Sequence, residues 1–263
     1  MRAQLSDIVL GYDASGSGRP LLLVHGYPLN RQMWQPQVAT LGDAARVIAP
    51  DLRGHGESGA PDGPHSMERL ADDLAEMLDG LGIGEPVVVA GLSMGGYVAL
   101  AFYRRHPARV AGLILAATRA GADGEAAKAN RNKAMDLARE QGVAAVADSV
   151  LPKMLAPDTY QTRPELVSQV RQIMTATPLN GVIGDLTAMR DRPDSTELLG
   201  SIQQPVLVIH GQADQLIPPS EAEAAYARLP HARLALIPGA GHLLNLEQPE
   251  AFDAEVRTFL RSF

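Results

Sequence analysis

The sequence predicts an α/β fold: a mostly parallel, twisted sheet flanked by helices, with a helical cap inserted between two strands. Three observations predict it. Short apolar runs at residues 21–24, 86–90, 110–116, 205–209 and 233–237 have the length and composition of buried strands. Residues 66–81, 97–106 and 249–263 read as helices, so strands and helices alternate. Between residues 118 and 194 the strand pattern stops and an alanine-rich helical pattern replaces it.

Taken in order, the first core segment spans residues 1–118, the cap 119–196 and the second core segment 197–263. Within the cap, 126–141 reads as a helix closed by Gly142, and 143–155 as a helix interrupted by Pro152. Residues 165–177 follow Pro164, which suits a helix start, and 179–190 end before Pro193. Met135, Leu151, Met154, Leu155, Ile173, Met174, Ile183, Leu186 and Met189 are the apolar residues of these helices. Most of them hold the cap together and a few face a pocket, with flexible Met154 and Met174 as candidates for a permissive wall. Lys128, Lys133 and the cap arginines are expected on a solvated face, as is the Asp72-Asp73 pair on the helix at 66–81.

Composition bounds the function. The chain has 263 residues, enough for a substantial core, and 46% are hydrophobic, which excludes disorder. A net charge of −7 argues against nucleic-acid and anionic-membrane partners. There is no cysteine, so neither a disulfide framework nor a thiolate metal site can form. No His-Glu-x-x-His or paired acidic loop points to a metal, and the Gly-rich stretch at 91–96 has the Gly-x-Ser-x-Gly spacing of a nucleophile elbow, a sharp strand-to-helix turn, not that of a dinucleotide loop. No cofactor is expected. The N-terminus lacks the apolar stretch of a secretory signal, and the expected location is cytoplasmic.

The chemistry is carried by Gly91-Leu92-Ser93-Met94-Gly95-Gly96, between the strand at 86–90 and the helix at 97–106. Gly-x-Ser-x-Gly at a strand-to-helix turn presents a serine hydroxyl near the positive end of a helix. A serine needs a base to take its proton and a third group to orient that base. Of the seven histidines, His242 lies on the Gly-rich loop 238–242 after a strand, and Asp214 follows the strand at 205–209. Each alone could be an ordinary turn residue. The order Ser93, Asp214, His242, each beyond a strand end, places all three at one edge of a parallel sheet. The N–H of Met94 is one candidate oxyanion donor. The second is the N–H of Tyr27, in His25-Gly26-Tyr27-Pro28 after the strand at 21–24. Pro28 has no N–H to offer. His25 reads as a brace for this loop, and Trp34 as a packing residue.

These motifs, with Asp51-Leu52-Arg53-Gly54-His55-Gly56-Glu57-Ser58 and Gln248-Pro249-Glu250, resemble the α/β-hydrolase fold family along almost the whole chain. Within it the chain is similar to small bacterial carboxylesterases, enol-lactonases and cofactor-free haloperoxidase or perhydrolase enzymes. The resemblance implies that residues 51–58 form a structural loop, which removes Asp51 and His55 from the catalytic candidates, and that the helical insertion caps the active site. Asp123 lies too far beyond the strand at 110–116 to serve as the acid.

The expected function is therefore a carboxylesterase-like serine hydrolase of a small ester, using Ser93, His242 and Asp214. Lactone hydrolysis and carbon–carbon bond hydrolysis use the same triad, and perhydrolysis is a side activity implied by resemblance. A reading of another class is a small-molecule receptor with vestigial hydrolysis, which many turnovers of one ester would rule out. The expected partner is a small ester or lactone. The sequence selects neither the physiological substrate nor the oligomeric state.

Overall fold

The computed structural model describes residues 1–263. Eight strands form one sheet: β1 (Arg2–Gln4), β2 (Val9–Ser15), β3 (Pro20–Val24), β4 (Arg46–Pro50), β5 (Val87–Leu92), β6 (Val110–Ala116), β7 (Val206–Gly211) and β8 (Ala232–Ile237). Their spatial order is β1-β2-β4-β3-β5-β6-β7-β8. The first two pairings, β1 with β2 and β2 with β4, are antiparallel, and every later pairing is parallel. The five strand-like runs all lie in β3, β5, β6, β7 and β8. The short antiparallel strands β1 and β2 were not legible, because half-exposed residues such as Asp13 and Ser15 break their apolar pattern.

The sheet is buried on both faces because helices cover it. Successive residues of β3 alternate between the layers. Leu22 and Val24 join one core cluster, and Leu21 and Leu23 the other. The helices are α1 (Gln35–Thr40), α2 (Met67–Gly80), α3 (Met94–Arg105), α4 (Glu125–Gln141), α5 (Val143–Val150), α6 (Thr159–Thr162), α7 (Pro164–Thr175), α8 (Leu179–Asp191), α9 (Thr196–Leu199), α10 (Pro219–Tyr226), α11 (Leu244–Glu247) and α12 (Pro249–Leu260). Ser66 starts α2 by accepting the Arg69 N–H at 3.0 Å. The helix then buries Met67, Leu70, Ala71, Leu74, Met77 and Leu78, one stripe at helical spacing. On the other face, Trp34 is fully buried with its ring 5.9 Å from that of Phe252, so it packs as expected.

One sequence expectation fails here, and the interruption expected at Pro152 is found. Asp73 is not on the surface: it is buried and receives Arg53 Nε and Nη2, each at 2.8 Å. Only Asp72 is partly exposed, paired with Arg105 and His106. The helix expected over 143–155 stops at Val150, and Pro152 sits in a separate 3-10 turn, Leu151–Lys153.

Between β6 and β7 the chain is helical throughout, from α4 to α9. The two ends of this excursion meet. Ser195 N–H donates to the Ala120 carbonyl at 3.0 Å, and Arg192 Nη2 to the Gly121 carbonyl at 2.7 Å. No helix of the structure is long and apolar enough to cross a membrane.

Candidate active site

β5 runs directly into α3 with Ser93 between them. The residue has φ 56° and ψ −116°, a left-handed backbone that costs a non-glycine residue about 1–3 kcal/mol. The surroundings hold it there. Ser93 N–H donates to the Ala116 carbonyl at 2.9 Å, and its own carbonyl accepts from Thr118 Oγ1 at 2.8 Å and Gly96 N–H at 2.9 Å. The neighbouring glycines are required by close approach: a Cβ on Gly91 would lie 2.0 Å from the Gly95 carbonyl oxygen, and one on Gly95 2.2 Å from that of Val24.

Asp214 and His242 are brought together. His242 Nδ1 lies 2.8 Å from Asp214 Oδ2. An ionised carboxylate can only accept, so Nδ1 carries the hydrogen and Nε2 the free lone pair. Nε2 is buried and bonded to no protein atom, the Ser93 hydroxyl included. Asp214 Oδ1 accepts the N–H groups of Leu216 (2.8 Å) and Ile217 (3.0 Å). Burial would raise its pKa, but His242, His210 and these donors hold the carboxyl well below its usual range.

Sequence reasoning missed two supports of this pair. His210, at the end of β7, lies 3.1 Å from Asp214 Oδ2 through Nε2, which also meets the Ile217 carbonyl at 2.9 Å. Its position four residues before Asp214 was the available signal. Glu247, on α11, is buried and accepts from Gly241 N–H (2.6 Å), Ala156 N–H (2.7 Å) and Thr159 Oγ1 (2.6 Å). It thereby ties the His242 loop to the insertion, a long-range link that no local pattern carries.

The early loop abuts the elbow. A Cβ on Gly26 would lie 3.3 Å from Ser93 Cβ. Tyr27 N–H donates to no protein acceptor, and Met94 opens α3, where first-turn N–H groups lack helical partners. His25 is a brace. Its Nδ1 meets the Gly26 carbonyl at 3.0 Å and its Nε2 accepts Leu52 N–H at 2.9 Å, joining the loops after β3 and β4. That geometry fits a neutral ring, and burial, with His55 beside it, lowers its pKa from 6.5 to about 3.

Asp51 and His55 stand apart from Ser93's machinery. Asp51 accepts the N–H groups of Arg31 and Glu57, each at 2.8 Å, and organises its own loop. His55 is buried with Nε2 3.1 Å from Asp185 Oδ2 on α8, and His65 Nδ1 lies 3.1 Å from Oδ1.

A cavity of about 360 Å³ opens at Ser93. Tyr27, Tyr97, Leu216 and Ile217 line it from the core, and residues of α4, α5 and α8 from the insertion. Leu216 and Ile217, the donors to Asp214, thus line the same cavity as Ser93, while His242 and Asp214 lie behind that lining. Leu186 and Met189 reach this wall, but Met154 and Met174 do not: both are buried in the opposite core layer. The cap arginines also depart from expectation. Arg119 and Arg131 line the cavity and Arg192 is buried, rather than all facing solvent.

The pattern of the α/β hydrolase fold matches residues 19–249. The chain is 31% identical over 259 residues to 3-oxoadipate enol-lactonase 2 of Acinetobacter baylyi, covering 98% of this chain and 95% of that protein. Among solved structures, it is similar to a thermophilic esterase from Thermogutta terrifontis, described as malate bound, with TM-score 0.96 and 42% identity. That match covers 100% of this chain and 98% of the other. An enol-lactonase from Burkholderia xenovorans matches with TM-score 0.92 and 30% identity, over 99% and 100% of the two chains. The strand order, the serine turn and this extent of similarity together establish that the chain belongs to the α/β-hydrolase fold family.

Proposed function

We propose that this protein hydrolyses a small carboxylic ester through an acyl-enzyme on Ser93. The observation that carries the reading is the His242 Nδ1–Asp214 Oδ2 bond, which leaves Nε2 an unpartnered base, with Ser93 and the two donors to Asp214 lining one cavity. Ser93 Oγ attacks the carbonyl carbon while Nε2 takes its proton, and the tetrahedral oxyanion is held by the N–H groups of Tyr27 and Met94. The imidazolium, stabilised by Asp214, returns the proton to the leaving alkoxide. Water, deprotonated by His242, then attacks the acyl carbonyl and releases the acid and free Ser93. The helical insertion acts as a cap that excludes bulk water from this space.

Lactone hydrolysis is the second reading, favoured by the similarity over nearly full length to two proteins named as enol-lactonases. The chemistry is the same, with the leaving alkoxide tethered to the acyl group.

Ser93→Ala tests both. Turnover of p-nitrophenyl acetate should fall by roughly 10³-fold or more with the fold intact, and a fluorophosphonate should label the wild type at Ser93 alone. Near-full activity in the variant would overturn the mechanism.

A further inference from the structure

The cavity beside Ser93 is walled in part by guanidinium groups that form one cluster. Arg119 and Arg192 donate to Asp123 Oδ1 at 2.9 and 2.8 Å, and Arg131 Nε to Oδ2 at 3.0 Å. Burial would push the Asp123 carboxyl up, but Arg131 and Arg192 hold it below its usual value, so it stays ionised. Three permanent cations against one carboxylate leave this cluster a net charge of +2. Glu221 acts on Arg119 and Asp194 on Arg192, both from outside the cavity lining, so the excess of cations is at the cavity wall itself. No Asp or Glu lines the cavity.

Structure alone does not require this excess. Arg192 already fills the structural role: it donates to Asp123, to the Met189 carbonyl at 2.6 Å and to the Gly121 carbonyl, and its guanidinium lies 4.1 Å from the centre of the Tyr97 ring. Arg119 and Arg131 add two charges, and burial disfavours that of Arg119. Both sit at the cavity wall, and Arg119 Nε is buried with no acceptor. A guanidinium at the wall of a cavity that holds no carboxylate is matched by a planar anion.

We propose that the substrate carries a carboxylate, held by Arg119 and Arg131 while its ester or lactone carbonyl meets Ser93. The assignment rests on the serine-hydrolase reading above and narrows it to acidic esters or lactones.

The test compares monomethyl glutarate with methyl pentanoate, and glutarate with glutaramide as competitors of p-nitrophenyl acetate. The charged ester should be preferred in kcat/KM by on the order of tenfold or more. Glutarate should compete and glutaramide should not. Arg119→Gln and Arg131→Gln should each lose far more on the charged ester than on the neutral one. Arg131→Lys should recover part of the preference, which separates charge from folding. Preference for the neutral ester, or glutarate competition that survives both glutamine variants, overturns the proposal. The two readings fail differently. If Ser93→Ala retains turnover, the mechanism fails, while calorimetry of glutarate on that variant still decides whether the arginines bind it.

Discussion

His242 Nδ1 and Asp214 Oδ2 are 2.8 Å apart, and the same carboxylate is held by two backbone N–H groups through its other oxygen. Asp214 therefore fixes both the ring's orientation and its tautomer. Asp214→Asn puts an amide where an acceptor-only group stood, and Nδ1 loses its hydrogen. Ester turnover should fall by roughly 10⁴-fold with little change in KM. Steady-state kinetics on purified variant decides it; activity within a few-fold of wild type would make Asp214 a turn residue only.

Asp185 on α8 sits against His55 and His65 from the core, all three buried. Burial opposes its ionisation, but the two histidines hold its carboxyl down from 3.8 to about 2. A depressed carboxylate stabilises the fold above its unfolded pKa and loses that contribution as pH falls through the folded one. Asp185→Asn should thus cost about 3–5 kcal/mol near neutral pH, the usual penalty for breaking a buried pair. His55, whose pKa Asp185 raises against the effect of burial, adds to the gap as pH falls toward the unfolded histidine value of about 6.5. Below that the Tm gap between variant and wild type should hold to about pH 4 and shrink between there and about pH 2, and a gap that widens over that last interval would refute the assignment.

Gly91 and Gly121 make a paired test of the serine turn. A Cβ at Gly91 meets the Gly95 carbonyl at 2.0 Å, whereas nothing lies within 4 Å at Gly121. Gly91→Ala should lower stability by about 1–3 kcal/mol and displace Ser93, with a matching loss of turnover. Gly121→Ala should leave both near wild type. Equal Tm values for the two variants would show that the turn tolerates a side chain.

Glu247 links Gly241 N–H to Ala156 and Thr159 of the insertion, so it positions the loop that carries His242. Burial pushes its carboxyl pKa up. Glu247→Ala leaves two buried N–H groups unpaired, at about 1–3 kcal/mol each, and should lower kcat more than it raises KM. Glu247→Gln keeps acceptor capacity on one oxygen and should retain more activity than Glu247→Ala. If the two variants lose activity only in proportion to the fraction unfolded, the role is purely structural.

What was legible follows from what is local. The runs of β3, β5, β6 and β7 are buried along almost all of their length and that of β8 only toward its end, and the Ser93 turn writes its steric needs into adjacent glycines. Asp214 and His242 could be placed because both follow such strands. Asp73, by contrast, sits beside Asp72 on a polar stretch, and its burial depends on Arg53, twenty positions away, together with Arg69 one turn before it. The arginines at 119, 131 and 192 looked solvated for the same reason: their common partner, Asp123, lies on a loop whose burial depends on the packing of α4 against α8. Charges are read wrongly from sequence wherever a distant residue compensates them.

The clasp of Ser195 on Ala120, reinforced by Arg192 on Gly121, shuts the helical excursion at its own base. Whatever lies beyond the clasp starts and finishes at one point, so its length and sequence place no demand on the spacing of β6 and β7. A different helical segment of another size could be spliced in at this junction without changing the spacing of β6 and β7, provided it also supplies partners for Glu247 and for the His55–His65 pair. The cavity wall that α4, α5 and α8 supply can then change with the inserted segment, while the strand spacing beneath it is retained.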